Sequence, residues 1–268
     1  MKEIRVGFIG FGHMAKILFS AVDKAKLIPH SQILFCRRDP AKSKKTEQEC
    51  KITATSLENL IDRSQVIFIC VRPNQVEKIL QEHAEALSNK QIISILAGVK
   101  ISYFQKVLGP HVQVIRAMPN LSSSVFEGMT VLSSSSTCEG EFKNFTHLFF
   151  GAIGKVLNFP ESLMDVSCAM AGSGPGFVFR LIEVMAKTGV KHGMNQSDAL
   201  QMAAQVFYGA SKLILEGEDP GNLIVQISTP NGTTEAGLNK MGETLLDLHF
   251  QQAIEASLFR SQELSNSL

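Results

Sequence analysis

Apolar residues follow two different patterns in the two parts of the chain. Up to about position 160 they form short continuous runs, which indicate β-strands covered on both faces, separated by stretches with helical spacing. The predicted strands are residues 4–9, 32–36, 65–71, 91–96, 112–115, 130–132 and 155–159. Strands that alternate with helices predict a parallel, doubly wound α/β sheet. A run of serines at 133–136 predicts a surface loop.

Beyond Pro160 the pattern is helical, and it predicts no further strand. The predicted helices are residues 177–191, 197–215, 223–227 and 245–263. In the first of them Phe177, Phe179 and Leu181 cover more than one face, and a helix that is apolar all round must be buried. Because so small a domain cannot cover this surface, we expect it to pack against a second copy. The sequence therefore predicts an α/β domain at 1–160 and an all-α dimerisation domain at 161–268.

The turn after the first predicted strand has the spacing of a dinucleotide-binding fingerprint. Residues 10–15, which read GFGHMA, connect this strand to a helical pattern. In such a turn Gly10 permits the sharp change of direction, Gly12 lets the backbone approach a pyrophosphate, and Ala15 lets the helix pack on the strand. We predict a Rossmann-type dinucleotide site here, with a plain strand-to-helix turn as the alternative. The residues assigned to the site are Gly7, Phe8, Ile9, Gly10, Phe11, Gly12, His13 and Met14.

Two arginines follow the second strand, where the adenosine ribose of a dinucleotide would lie. NAD sites usually place an acidic residue there, whereas Arg37 and Arg38 suit a 2′-phosphate by their charge and forked donors. They predict NADPH as the cofactor, with NADH as the alternative; a solvated basic loop would explain them without a ligand. Ligands bind at the carboxyl ends of such strands, so the ends of the next two strands complete the predicted cofactor site. These positions are Cys70, Val71, Arg72, Pro73, Ala97 and Gly98.

Three further segments are candidates for substrate contacts. After another strand, Met118 offers an apolar wall for the nicotinamide or the substrate, and Asn120 either binds a ligand or orders a Pro-Asn turn. Glycine-rich turns at 171–176 and 229–237 begin helices, so their free N–H groups and hydroxyls suit a small carboxylate. Ordinary helix caps are the alternative reading of both turns.

Composition narrows the range of partners. The 26 lysines and arginines nearly balance the 25 aspartates and glutamates, so no net field favours nucleic acid or an anionic membrane. No apolar run reaches the ~18 residues that a membrane helix needs. The five cysteines are scattered and the seven histidines form no cluster. We therefore predict reduced thiols, a cytoplasmic location and no metal site.

Several motifs together resemble the Δ1-pyrroline-5-carboxylate reductase family along nearly the whole chain. The motifs that carry the resemblance are residues 7–12, 71–73, 94–99, 116–120, 172–175, 230–238 and 255–257. The resemblance implies an NAD(P)-binding Rossmann domain and a helical substrate-binding domain that forms a homodimer, often assembled further into decamers. It also implies reduction of a cyclic imine to proline with NADPH or NADH. Together with the balanced charge, which argues against nucleic acid and membrane as partners, this predicts a small-molecule substrate.

The resemblance also assigns site residues. Thr234 matches the threonine whose hydroxyl meets the imine nitrogen, and Gly232 and Thr233 match backbone donors to the substrate carboxylate. An alternative is that Thr234 only caps a helix that begins near Glu235. The other substrate-binding positions are Met118, Asn120, Ser173, Gly174, Pro175 and Thr229. The chain departs from the family pattern at Leu121, Ser122, Gly176, Phe177 and Asn231.

These departures leave two alternatives open, a reductase for a different cyclic imine and a non-catalytic relative with a regulatory role. The β-hydroxyacid dehydrogenases share the two-domain layout but carry a catalytic lysine about one turn into the glycine-rich helix. The nearest lysine here is Lys187, which argues against alcohol oxidation. An imine protonated on nitrogen already accepts hydride well, so the expected catalysis is positioning and exclusion of water, with one hydroxyl donor at the nitrogen.

Overall fold

The computed structural model describes residues 4–266, so the outermost residues of the two predicted domains, 1–3 and 267–268, lie outside the described range. The strands are β1 (Val6–Ile9), β2 (Ile33–Cys36), β3 (Thr53–Ala54), β4 (Val66–Ile69), β5 (Gln91–Ser94), β6 (Gln113–Met118), β7 (Gly128–Ser134) and β8 (Gly154–Asn158). The helices among them are α1 (His13–Ala25), α2 (Pro40–Cys50), α3 (Leu57–Arg63), α4 (Pro73–Glu82), α5 (Ala84–Ser88), α6 (Ile101–Leu108) and α7 (Gly140–Gly151). The helices that follow are α8 (Met164–Ser167), α9 (Gly174–Lys191), α10 (Gln196–Leu215), α11 (Pro220–Ile227), α12 (Thr233–Glu243) and α13 (Leu246–Asn266).

All eight strands form one sheet, in the order β3-β2-β1-β4-β5-β6-β7-β8. Strands β1 to β6 pair in parallel, and Phe8 stands in register with Phe35 and Phe68. Strand β7 is antiparallel to β6, and β8 is parallel to β7. The strand order reverses between β1 and β4, which opens a crevice at their carboxyl ends. The predicted Rossmann-type doubly wound sheet is therefore confirmed, and the crevice fixes where a ligand would bind.

Two apolar layers cover the sheet, one on each face, which is why β1 and β4 are buried at every position. On one face the ring of Phe8 stacks on that of Phe68 with 4.8 Å between centroids, and Phe149 of α7 lies 4.6 Å from Phe68. On the other face Leu60 of α3 packs with Ile67 of β4. Burying a side chain of this size contributes about 1.5–3 kcal/mol, so these layers hold the strand ends rigidly in place.

The serine run at 133–136 is mostly not a surface loop, and that prediction was wrong. Ser133 and Ser134 extend β7, and Ser133 and Ser135 are buried. The Oγ of Ser135 accepts the N–H of Val114 at 3.1 Å and lies 2.7 Å from the Oγ1 of Thr137. Burying a serine hydroxyl costs little free energy where backbone and side-chain groups hydrogen-bond to it. The polar composition of this segment therefore did not indicate its burial.

The described residues form two compact units. The first contains the residues up to Ser173 together with those from Ser257 onward, and the second contains residues 174–256. Within the second unit α9 and α10 pack through small residues, with Ala186, Ala199 and Ala203 buried. Helices α11 and α12 bury none of their residues. The second unit therefore leaves most of its large apolar side chains exposed.

None of the helices within residues 4–266 is long and apolar enough to cross a membrane.

Candidate active site

The turn between β1 and α1 is built around two glycines. Gly10 has a φ of +85°, and a Cβ there would lie 2.9 Å from the carbonyl oxygen of Cys70, so any other residue would be strained. Its N–H donates to the carbonyl of Cys36 at 3.0 Å, which fixes the turn to the end of β2. At Gly12, the N-cap of α1, an added Cβ would meet no atom within 4 Å, and no side chain caps the helix. No side chain occupies the first N–H groups of α1, which leaves them available to a phosphate.

A cleft of about 880 Å³ lies along this turn. Its walls come from the ends of β1, β2 and β4, from the starts of α2 and α3, and from the length of α4. The predicted cofactor residues that line it are Ile9, Gly10, Phe11, Gly12, Arg37, Arg38, Cys70, Val71 and Arg72. Lys42, Gln75 and Lys78 also line it, although no motif had singled them out. The cleft is large enough for a cofactor and carries several positive charges beside the open helix N-terminus.

The remaining predicted cofactor residues lie outside this cleft, and three of them have packing roles. A Cβ on Gly7 would lie 2.5 Å from the Cδ2 of Leu60, so this glycine lets α3 approach β1. Phe8 is fully buried in the apolar layer. Gly98 has a φ of +77°, and a Cβ there would lie 2.8 Å from the backbone of Leu264. The others are His13 and Met14 at the start of α1, Pro73 at the start of α4, and Ala97 beside Met118.

The two arginines after β2 point to different elements. The Nη1 of Arg37 donates to the Oγ1 of Thr46 at 3.1 Å, and Thr46 is a buried residue of α2. The guanidinium of Arg38 lies against the side-chain amide of Gln75 of α4, whose oxygen accepts from it when the amide oxygen and nitrogen are exchanged. Arg37 is thus held against one wall of the cleft, while Arg38 extends to the other.

Two cysteine thiols line the cleft. Burial raises the pKa of Cys36 to about 11, and the backbone N–H of Gly10 offsets only part of this rise. Burial also raises the pKa of Cys70. Both thiols are therefore protonated at neutral pH and are not nucleophiles. Among residues 4–266, no group of three or more His, Cys, Asp or Glu side chains is arranged to hold a metal ion.

Three of the predicted substrate residues meet in the first unit. The side chain of Met118 is buried and packs beside Ala97 and Ala171. Asn120 is 7% exposed, and its Nδ2 donates to the carbonyl of Ala171 at 3.0 Å. Ser173 lies two residues after Ala171 in the chain and is partly exposed. These contacts bring the end of β6 together with the segment before α9, with Asn120 engaged by the protein itself.

The other predicted substrate residues, in the second unit, are Gly174, Pro175, Thr229, Gly232, Thr233 and Thr234. Helix α12 begins at Thr233 with Gly232 as its N-cap. A Cβ on Gly232 would lie 2.8 Å from the carbonyl oxygen of Thr229, so the turn requires glycine. No side chain caps α12, and Thr234 is its partly exposed second residue. The alternative in which Thr234 caps a helix beginning near Glu235 is therefore wrong.

An ion pair between a buried arginine and a partly exposed glutamate supports β6, and the sequence patterns had not indicated it. The Nη1 of Arg116, a residue 2% exposed, donates to the Oε1 of Glu161 at 2.8 Å. The same oxygen accepts the N–H of Ile101 at 2.7 Å. Glu161 therefore joins β6 to the start of α6. The partners are 45 residues apart, so no local spacing could have paired them.

The fold and the glycine turn define a dinucleotide-binding protein of the Rossmann type. Residues 5–98 match the family model described as NADP oxidoreductase, coenzyme F420-dependent, and residues 161–264 match the one described as pyrroline-5-carboxylate reductase dimerisation. The pyrroline-5-carboxylate reductase of Methanosarcina acetivorans is 32% identical, with 98% of this chain and 99% of the relative covered. That of Arabidopsis thaliana is 31% identical, with 99% and 97% covered.

The chain belongs to the pyrroline-5-carboxylate reductase family. A crystal structure of Plasmodium falciparum pyrroline carboxylate reductase has the same fold, with a TM-score of 0.90 at 24% identity and 99% of both chains covered. The family predicted from the motifs is thereby confirmed, and the C-terminal domain is one for homo-oligomerisation.

Proposed function

We propose that this protein reduces the cyclic imine 1-pyrroline-5-carboxylate to proline with NADPH. The observation that carries the proposal is the uncapped N-terminus of α1 at Gly12, which lines the same cleft as Arg37 and Arg38. Membership of the reductase family supports the substrate. The NADP bound in the Plasmodium falciparum structure supports the cofactor.

The residues present fit NADPH. Gly12 leaves room for a pyrophosphate at the start of α1, Gly10 permits the turn before it, and Arg38 would meet the 2′-phosphate. When bound, the cofactor supplies the hydride. The protein's own part is to orient the imine carbon, exclude water and hold a proton at the imine nitrogen.

Thr234 is the group that we propose acts at that nitrogen. Its hydroxyl lies on the first turn of α12, where the unpaired N–H groups after Gly232 can bind a carboxylate. An imine next to a carboxylate thus meets one side-chain donor and several backbone donors at the same helix start. This arrangement needs neither a thiolate nor a metal ion.

We further propose that the protein forms a homodimer through its second unit, and that the decamers implied by the family resemblance are assembled from such dimers. Large apolar side chains that are exposed in a single chain support the dimer. Phe179 is 52% exposed and Val225 is 75% exposed. Covering each would stabilise an assembly by about 1.5–3 kcal/mol. A cytoplasmic location stays part of the proposal, supported by five cysteines that are all free.

Sedimentation of the Phe179→Glu variant tests the interface. We expect the wild type to sediment as a dimer or a larger assembly and the variant to dissociate, because a charge would replace a ring that the proposed interface buries. Lys187→Ala, an exposed change on the same helix, is the control and should leave the assembly intact. An active wild-type monomer at dilute concentration would contradict the dimer.

The function itself is tested by expressing the gene in a bacterial strain that needs proline because its own reductase is deleted. We expect growth without added proline for the wild type and slower growth for Thr234→Val. Failure to grow while the folded protein accumulates would contradict the proposed function.

A further inference from the structure

The segment before α9 winds more widely than an α-helix. Residues Cys168–Gly172 form a π-helical turn, which the N–H of Ser173 closes by donating to the carbonyl of Cys168 at 2.9 Å. A π-turn inserts one extra residue, so it changes the direction of the side chains that follow, and such turns are frequent at functional sites. Ser173 directly follows this turn, so the turn determines the direction of its side chain.

Asn120 holds this turn from the end of β6. Its Nδ2 donates to the carbonyl of Ala171, inside the π-turn, at 3.0 Å, and its Oδ1 accepts the N–H of Met129 in β7 at 3.3 Å. An amide side chain suits this role because its donor and its acceptor are separate atoms. Asn120 is therefore bound to two backbone segments at once, as expected of a positioning residue.

Ser257 holds the hydroxyl of Ser173. Its Oγ donates to the Oγ of Ser173 at 3.1 Å, so Ser173 acts as the acceptor. The hydroxyl hydrogen of Ser173 itself has no acceptor within residues 4–266, and Ser173 is partly exposed. Two further serines at four-residue spacing on α13, Ser261 and Ser265, donate to the Oδ1 of Asp165 at 2.8 and 2.7 Å. These two bonds tie α13 to Asp165 of α8, whereas the serine that contacts Ser173 is Ser257.

The topology indicates what Ser173 meets. A dinucleotide in this fold lies along the carboxyl ends of the strands, with its adenosine half beside β2 and its nicotinamide half toward β5 and β6. Ala97 and Met118 form an apolar wall at those strand ends, and the π-turn packs on it. We propose that Ser173 donates to the carboxamide of the nicotinamide, and that Asn120 and Ser257 are positioning residues that aim it. This inference rests on the proposed function only in taking NADP(H) as the cofactor.

Equilibrium binding to two ligands tests the proposal without turnover. NADP⁺ contains the nicotinamide half, whereas adenosine 2′,5′-bisphosphate contains only the adenosine half and the 2′-phosphate. We expect Ser173→Ala, Ser257→Ala and Asn120→Ala each to weaken NADP⁺ about three- to tenfold, as for one neutral hydrogen bond, with unchanged affinity for the bisphosphate. Ser261→Ala, four residues from Ser257 on the same face, is the matched control and should bind both ligands as the wild type does.

Three outcomes would overturn the inference. Equal loss of both ligands would mean a general disturbance of the cofactor cleft. Unchanged NADP⁺ affinity in the Ser173 and Ser257 variants, with a raised KM for the imine, would place Ser173 on the substrate instead. A loss in Ser261→Ala equal to that in Ser257→Ala would mean that the whole helix face matters only for stability. Failure of the wild type to bind NADP⁺ at all would instead contradict the proposed cofactor.

Discussion

Replacing Thr234 by valine is expected to lower kcat/KM for the imine roughly ten- to several-hundredfold, because a hydrogen bond that strengthens in the transition state is lost. Valine keeps the shape of threonine and removes only the donor. Affinity for NADPH should barely change. The melting temperature should also stay near that of the wild type, since Gly232 rather than Thr234 occupies the N-cap of α12.

Thr233→Val is the matched control for this variant. Thr233 precedes Thr234 in the same helical turn and is more exposed, and its proposed contribution is a backbone N–H that valine retains. Steady-state kinetics and melting should be measured on the same samples. Equal kinetic losses in both variants, or a large fall in melting temperature with normal kinetics in Thr234→Val, would contradict the role of the Thr234 hydroxyl.

Replacing Arg37 and Arg38 together by serine is expected to weaken NADPH much more than NADH. A charged contact to phosphate contributes on the order of 1.5–3 kcal/mol, which corresponds to roughly 10- to 150-fold in Kd. The structure refines this expectation for the single variants. Arg37 is held by Thr46, whereas Arg38 extends across the cleft, so Arg38→Ser should carry most of the loss.

Lys78→Ser is the control, because it removes a positive charge from the wall of the same cleft but leaves both arginines in place. Binding of NADPH and NADH to each variant can be followed by calorimetry. An equal loss for the two cofactors in the double variant would mean that the arginines do not recognise the 2′-phosphate.

The fold was predictable because its signals are local. Continuous apolar runs such as 65–71 occur where helices cover both faces of a strand, and β4 is buried at every position. The glycine turn was predictable for the same reason, since the positive φ of Gly10 and the open space at Gly12 are properties of a few adjacent residues. Helices α3 and α6 were not predicted, as they are short and carry few turns of periodic pattern.

The remainder of the site depends on contacts between distant residues, which a single sequence does not display. Gly7 and Gly98 belong to motifs that predicted cofactor contact, yet what requires glycine there is the approach of Leu60 and of Leu264. The hydrogen bond between Ser257 and Ser173 joins residues 84 positions apart. Such pairings arise only when the sheet and α13 have formed, so residue type and local spacing could not reveal them.

The most direct test of the account is an assay of the purified full chain with 1-pyrroline-5-carboxylate and NADPH, followed by the nicotinamide absorbance and by identification of the product. We expect one NADPH to be consumed for each proline formed, and no consumption without the imine. Absence of turnover with both NADPH and NADH would contradict the proposed reaction and favour a non-catalytic relative. Turnover only with another cyclic imine would contradict the proposed substrate.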